Sequence, residues 1–282
     1  MISEIRITVL VDSLTRFEGP ILAENGLSLL VEIPELDLKV LLDTGITGHA
    51  LINNSKVLGI DLSEVDFIVL SHNHYDHTGG LLKLPISGKT VVAHPEIFLP
   101  KYALVPSLGM RTLTYAGPPF RKRDLEKAGA NLILSKNPVK LAHGVLTTGE
   151  VPRRNKLERI EGFYVNKDGE FVEDQLPDDQ ALLIEMDDGL VVLTGCCHSG
   201  LMNTLEWAME LTGKEIKAVI GGFHLIDADD RRIDETIRRI SDLDVKIVAP
   251  LHCTGLKATF MFYEARRGSF REMWAGKSLE IS

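Results

Sequence analysis

The chain has 282 residues, 44% hydrophobic and 25% charged, with a formal net charge of −9. That balance suits one large domain or two modest ones, and it excludes a disordered, collagenous or disulfide-stapled chain. A generally acidic surface disfavours a nucleic-acid backbone as partner, and no run approaches the roughly 18 apolar residues of a membrane span.

Apolar residues of the first segment, Met1 to Asp12, alternate with polar ones. Ile5 to Val11 therefore reads as a strand, and no signal-peptide cleavage pattern follows. Leu27 to Ile33 and Leu38 to Leu42 read as two more strands, joined at Pro34-Glu35-Leu36-Asp37 as a hairpin. Phe67 to Leu70, Thr90 to Ala93 and Leu132 to Leu134 are short strands. Pro95 to Ala130 is less regular, with five prolines and the basic cluster Arg121-Lys122-Arg123. It reads as an insertion or cap-like segment or as a plain surface connection. Ala181 to Met186 and Leu190 to Thr194 flank Asp187-Asp188-Gly189, a strong hairpin signal. Leu201 to Leu211 is predicted helical and Ala218 to Ile220 a strand. Ile233, Ile237 and Ile240 mark one helical face, and Lys246 to Ala249 a strand. Met261 to Arg267 is predicted helical, capped at Gly268. Interleaved strands and helices in both halves predict a layered α/β or α+β domain.

The segment most charged with chemistry is Ser71-His72-Asn73-His74-Tyr75-Asp76-His77-Thr78-Gly79-Gly80. It follows a predicted strand and precedes a predicted helix. In an extended turn His72 and His74 point to one side, while Asp76 and His77 reach a second point. Neutral imidazole nitrogen and carboxylate oxygen suit zinc, iron or manganese. Three cysteines, Cys196, Cys197 and Cys253, cannot all pair within one chain, and such sparse use suits a reducing cytoplasm. All three lie beside presumed site residues; for Cys197 and Cys253 a small buried residue is the first reading.

His-x-His-x-Asp-His after a strand resembles the signature of the metallo-β-lactamase superfamily. Leu41-Leu42-Asp43-Thr44-Gly45 resembles that superfamily's early Asp-Thr-Gly motif, and His252 its last histidine ligand. Four further stretches are Asp179-Gln180-Ala181-Leu182, Leu193 to Gly200, Gly221-Gly222-Phe223-His224-Leu225 and Leu251-His252-Cys253-Thr254-Gly255. Together they resemble a subfamily of dihydropterin ribofuranosylaminobenzene phosphate synthase-like metallo-hydrolases. The resemblance implies a single domain over 1–282, a four-layer αββα sandwich of two mixed sheets with helices outside. The segment 95–130 would be a cap or insertion.

The resemblance also implies a metal site holding one or two divalent ions, built from His72, His74, Asp76, His77, His198 and His252. His72 and His74 would hold one ion, and Asp76, His77 and His252 the other. The superfamily's midway histidine is missing: Thr147 to Arg153 offers only Glu150, so Glu150, Cys196 or His198 completes the site. Asp43 would orient ligands from behind or cap its own turn. Asp76 and His224 are the expected catalytic residues. Arg153 and Arg154 would bind a phosphate or carboxylate or stand as a solvated pair. His94 and His143 read as ordinary surface or strand-end residues. The expected reaction is a metal-activated hydroxide attacking an ester, phosphoester or lactone of a small, possibly phosphorylated, substrate. No nucleic acid or membrane partner is expected. The competing readings are a pterin-precursor transferase, a nuclease of the same fold, an iron redox enzyme and a non-enzymatic binding or sensing domain.

Overall fold

The computed structural model describes residues 2–107 and 110–282. The first-half strands are β1 (Ile5–Val11), β2 (Ser28–Ile33), β3 (Leu38–Leu42), β4 (Phe67–Val69), β5 (Thr90–Ala93), β6 (Lys101–Ser107), β7 (Met110–Tyr115) and β8 (Asn131–Leu134). Then follow β9 (Lys140–Ala142), β10 (Val145–Thr147), β11 (Phe163–Lys167), β12 (Glu170–Glu173), β13 (Ala181–Met186), β14 (Gly189–Thr194), β15 (Ile216–Gly222), β16 (Ile247–Leu251) and β17 (Ser278–Ile281). The helices are α1 (His49–Leu58), α2 (Tyr75–Thr78), α3 (Lys122–Lys127), α4 (Leu201–Thr212), α5 (Asp230–Asp242) and α6 (Leu256–Ala265).

A seven-stranded sheet has the order β17-β1-β2-β3-β4-β5-β8, and a six-stranded sheet the order β16-β15-β14-β13-β10-β9. Both are mixed: β3-β4-β5-β8 and β14-β15-β16 run parallel, the other pairs antiparallel. Strand alternation sorts the apolar residues into layers. Ile7, Val9, Leu29, Val31 and Val40 of the first sheet pack on Leu182, Ile184, Val191, Leu193 and Ile220 of the second. The opposite face of the second sheet, with Leu183, Val192 and Val219, is covered by Leu201 and Leu205 of α4, Ile233, Ile237 and Ile240 of α5 and Phe262 of α6. The opposite face of the first sheet, with Leu30, Leu41, Ile68 and Val91, is covered by Ala50 and Leu51 of α1 and Leu125 of α3. The fold is therefore an αββα sandwich.

The predicted strands are present with shifted ends, and β9 to β12 and β17 add to them. Four further differences concern the helices and region 95–130. The helix α1 was not anticipated; it opens and closes at left-handed Gly48 and Gly59, the glycine signals that frame it. The helix expected at Met261–Arg267 runs instead from Leu256 to Ala265 and is capped at Arg266, so Gly268 is not its cap. Region 95–130 is more regular than expected. Its β6 and β7 pair with each other, and β6 pairs with β11, in a separate four-stranded sheet ordered β12-β11-β6-β7. Residues 108 and 109 of that region lie outside the described residues. Fourth, the helix that follows the histidine motif is only the single turn α2, and it lies inside the motif. Among the described residues no helix is long and apolar enough to cross a membrane.

Leu182 is fully buried between the two sheets. Leu182→Ala is expected to cost about 2–5 kcal/mol of stability. The denaturant midpoint checks it; a change below about 0.5 kcal/mol would contradict this packing.

Candidate metal centre

The candidate side chains follow the carboxyl ends of parallel strands. Asp43 follows β3, and Ser71 to His77 follow β4; Cys196 to His198 follow β14, His224 follows β15 and His252 follows β16. Parallel neighbours end on the same edge of a sheet, so loops far apart in sequence meet there. The two sheets bring these edges together, because His77 Nε2 lies 3.2 Å from His252 Nε2 and 3.1 Å from Cys196 Sγ.

Two groups of donor atoms result. In the first, His72, His74 and His198 each offer an atom within 4.8 Å of the others. His72 Nε2 and His198 Nε2 are 3.2 Å apart, and the buried His74 Nε2 has no hydrogen-bond partner. In the second group, Asp76, His77 and His252 stand within the same span. Asp76 Oδ2 is 3.4 Å from His252 Nε2 and 3.8 Å from His77 Nε2. Cys196 joins the groups, since its sulfur lies within 4.8 Å of donor atoms of His72 and His77 and, separately, of His198 and His224. Buried donors close together, with Nε2 of His74 and Nδ1 of His198 and His252 unpartnered among the described residues, fit a divalent cation.

A buried carboxylate sets the ring orientations. Asp43 Oδ2 accepts from His77 Nδ1 and from Ser71 Oγ, both at 2.7 Å, and Oδ1 accepts from the Ser71 amide at 2.7 Å. The Ser71 hydroxyl proton points at Asp43, so Ser71 Oγ accepts from His72 Nδ1 at 2.9 Å. Both imidazoles then keep their protons on Nδ1 and turn Nε2 towards the centre. Asp43 is held in left-handed backbone at φ 61°, as are Cys197 (60°), His224 (46°) and His252 (47°). Such conformations are costly outside glycine and cluster where surrounding contacts impose them.

Burial pushes His72 and His198 well below the ordinary histidine pKa and His74 down to about 4, so these rings are neutral. Burial also lowers His77, but the carboxylates of Asp76 and Asp43 outweigh it and hold it at about 9. Burial would raise Asp76; His77 and His252 outweigh it and keep Asp76 ionised. Burial pushes the Cys196 thiol up.

The expected residues His72, His74, Asp76, His77, His198 and His252 thus converge. Glu150 does not: it bonds His94 Nε2 at 2.9 Å and pairs with Lys136 at 3.3 Å. His94, expected as an ordinary residue, is buried at the end of β5 by that contact. Cys197 packs in the core beside Thr204, and Cys253 is buried near Cys196. His224 lies against His198 with ring centroids 4.2 Å apart, and its Nδ1 has no partner. Arg154 pairs with Glu210 at the surface. Arg153 is no solvated residue: it donates to the carbonyls of His198, Gln175 and Leu176. Its guanidinium is committed to holding the His198 loop.

Sequence reasoning missed three further supports. Asp12 Oδ1 accepts from the His252 amide at 2.9 Å, and Asp179 Oδ2 from the Ser199 amide at 2.8 Å. Phe163 stacks on His74 at 5.1 Å and meets His198 edge-on at 5.0 Å. Asp179 lies in a stretch singled out by resemblance, but nothing local signals these contacts.

Three outcomes are expected. Gly195→Ala would place a methyl 2.0 Å from Ser71 Oγ and 2.8 Å from Asp43 Oδ2. Metal affinity should fall about 10–100-fold, read by competition with a chromogenic chelator. Glu150→Gln should leave that affinity unchanged, and a loss would return Glu150 to the site. The raised His77 pKa makes its contribution to metal-free stability full below 6.5 and lost as pH rises through about 9. Zinc uptake at neutral pH should therefore displace about one proton from this group, read by calorimetry in buffers of different ionisation heat.

The sequence profile of the Metallo-beta-lactamase superfamily matches residues 21–252. A 7,8-dihydropterin-6-methyl-4-(beta-D-ribofuranosyl)-aminobenzene-5'-phosphate synthase of Methanocaldococcus jannaschii is 35% identical over 291 residues, spanning 99% of this chain and 98% of that one. A solved metal-dependent hydrolase of the beta-lactamase superfamily is 32% identical with a TM-score of 0.84, covering 99% of each chain. A metallo-beta-lactamase fold protein from Bacillus subtilis shares the fold at a TM-score of 0.60 and 14% identity, over 99% of this chain and 100% of that one. With the sandwich and the converging histidines in place, the chain belongs to the metallo-β-lactamase superfamily and is one of its enzymes.

Proposed function

We propose that the chain is a metal-dependent hydrolase of a small ester, phosphoester or lactone, with two divalent ions held by the two side-chain groups. His72, His74 and His198 would hold the first ion and Asp76, His77 and His252 the second, with Cys196 within reach of both groups. The observation that carries this reading is the abutment of the two groups, with the His72 and His77 ring centroids 4.3 Å apart and Cys196 Sγ within 4.8 Å of a donor atom of each. A donor set of imidazoles, one carboxylate and one thiol suits zinc better than manganese. Free thiols that are all buried fit a reducing, cytoplasmic setting.

The ions supply a water of lowered pKa and a Lewis acid. The chain supplies the rest. Asp76 stays ionised and orients the attacking water through a carboxylate oxygen. His224 is partly exposed beside His198, where its ring can hand a proton to the leaving group. Phe163 covers the His74 side and excludes bulk water there. With Arg153 and Arg154 engaged elsewhere, a substrate phosphate would rest on the ions rather than on those guanidinium groups.

One observation favours a second reading on the same site. The 35% identity to the pterin-pathway synthase extends over 99% of this chain. There the site would hold the phosphorylated sugar of an aminobenzene ribotide while its ring displaces diphosphate from a pterin diphosphate and loses a proton.

The test is turnover of chromogenic phosphodiester, ester and lactone substrates by protein stripped with chelator and then reloaded with zinc. Activity should vanish and return, and His198→Ala should lose one metal equivalent. His224→Gln should lower kcat about 10²–10⁴-fold with KM little changed. No turnover by the fully loaded chain, alongside product from the pterin and ribotide pair, would replace the hydrolase with the transferase.

A further inference from the structure

We propose that Lys101, carried by the four-stranded sheet outside the sandwich, is a positioning residue that fixes the backbone between His72 and His74 through Asp178. The proposal rests on the metal-centre reading above.

Lys101 opens β6 and is only 1% exposed. An ammonium buried this deeply is costly unless it is paired. Its Nζ is paired with Asp178 and lies 3.0 Å from Asp174 Oδ2. Burial opposes its charge, but the two carboxylates outweigh that and keep it protonated.

Asp178 is fully buried, and its Oδ2 accepts from the Asn73 amide at 2.9 Å. Asn73 stands between the two histidines. Its Nδ2 donates to the Leu99 carbonyl at 3.0 Å, two residues before Lys101. Main chain and side chain of Asn73 are thus gripped by the same part of the fold. Among the described residues no side chain hydrogen-bonds the His74 ring, which has only the stacking of Phe163, whereas Asp43 holds Nδ1 of His77. Beyond that stacking, its aim depends on where the backbone of residues 72–74 is held. None of Lys101, Asp174 or Asp178 belongs to the donor groups, so the effect passes through the loop. Asp43 reaches both groups, but the second has direct holds that His74 lacks, Asp43 on the His77 ring and Asp12 on the His252 amide. The first ion should therefore be the one that senses Lys101.

The experiment is a zinc competition titration on the full chain, with His74→Ala and His252→Ala assigning the two binding steps. Lys101→Met should weaken the first step about 10–100-fold and leave the second unchanged. The cobalt(II) absorption of the first site should change with it. Lys101→Arg, which keeps a buried cation, should recover most of the loss. If Lys101→Met does not fold, Asp178→Asn reads the same step, since it removes the charge that binds Lys101 and keeps the side-chain size. Equal weakening of both steps, or an unchanged first step, overturns the proposal. A wild-type chain that takes up no zinc overturns the metal centre and this proposal together. A wild-type chain that binds both ions but hydrolyses nothing overturns the hydrolase reading alone.

Discussion

The Asp43 carboxylate touches both halves of the centre. One oxygen takes the His77 Nδ1 proton and the Ser71 hydroxyl, and that hydroxyl sets the tautomer of His72. A single buried charge thereby orients a donor in each group. Its position comes from a left-handed turn at the carboxyl end of β3, with its amide bonded to the Val69 carbonyl. Space for it exists because Gly195 has no side chain: a methyl there would overlap Ser71 Oγ. Asp43, Ser71 and Gly195 come from separate strands, and only the packed sandwich sets them side by side.

The same edge-on convergence explains how the centre lacks a midway histidine and still gathers three imidazoles in its first group. The β10 loop turns Glu150 outward to His94 and Lys136. His198 comes instead from the loop after β14. That loop is held from three directions, by Arg153 on the His198 carbonyl, Asp179 on the Ser199 amide and Glu158 on the first amides of α4. Burial raises Glu158 to about 7 against the pull of those two amides. Gly221 and Gly222 let β15 pass against Thr194 and Gly195, where any side chain would meet backbone oxygen. Superfamily membership therefore fixes where a site forms more firmly than which chain position fills each place in it.

A metal centre of this kind needs neutral donors and fixed rings. Burial provides the first for His72, His74 and His198 by removing water that would stabilise their charged forms. The second group follows another rule, with carboxylates close enough to keep His77 protonated until a cation displaces the proton. The two groups differ in electrostatics as well as composition.

The sequence by itself determined the layered fold, because the alternation of Ile5–Val9, the short apolar run Ala181–Ile184 and the Ile233, Ile237 and Ile240 stripe are local properties of the chain. It also determined the histidine motif, whose donors lie within six positions. It left Glu150, Cys196 and His198 as alternatives. It gave no sign of Asp12, Lys101 or Phe163 as neighbours of the site. Those contacts join residues 20 to 240 positions apart, such as Asp179 with Ser199 and Asp12 with His252. They depend on strand order and on how two sheet edges meet, and no local pattern encodes that. The tertiary structure decided them, because burial and the few ångströms between loop tips select which donor reaches the centre.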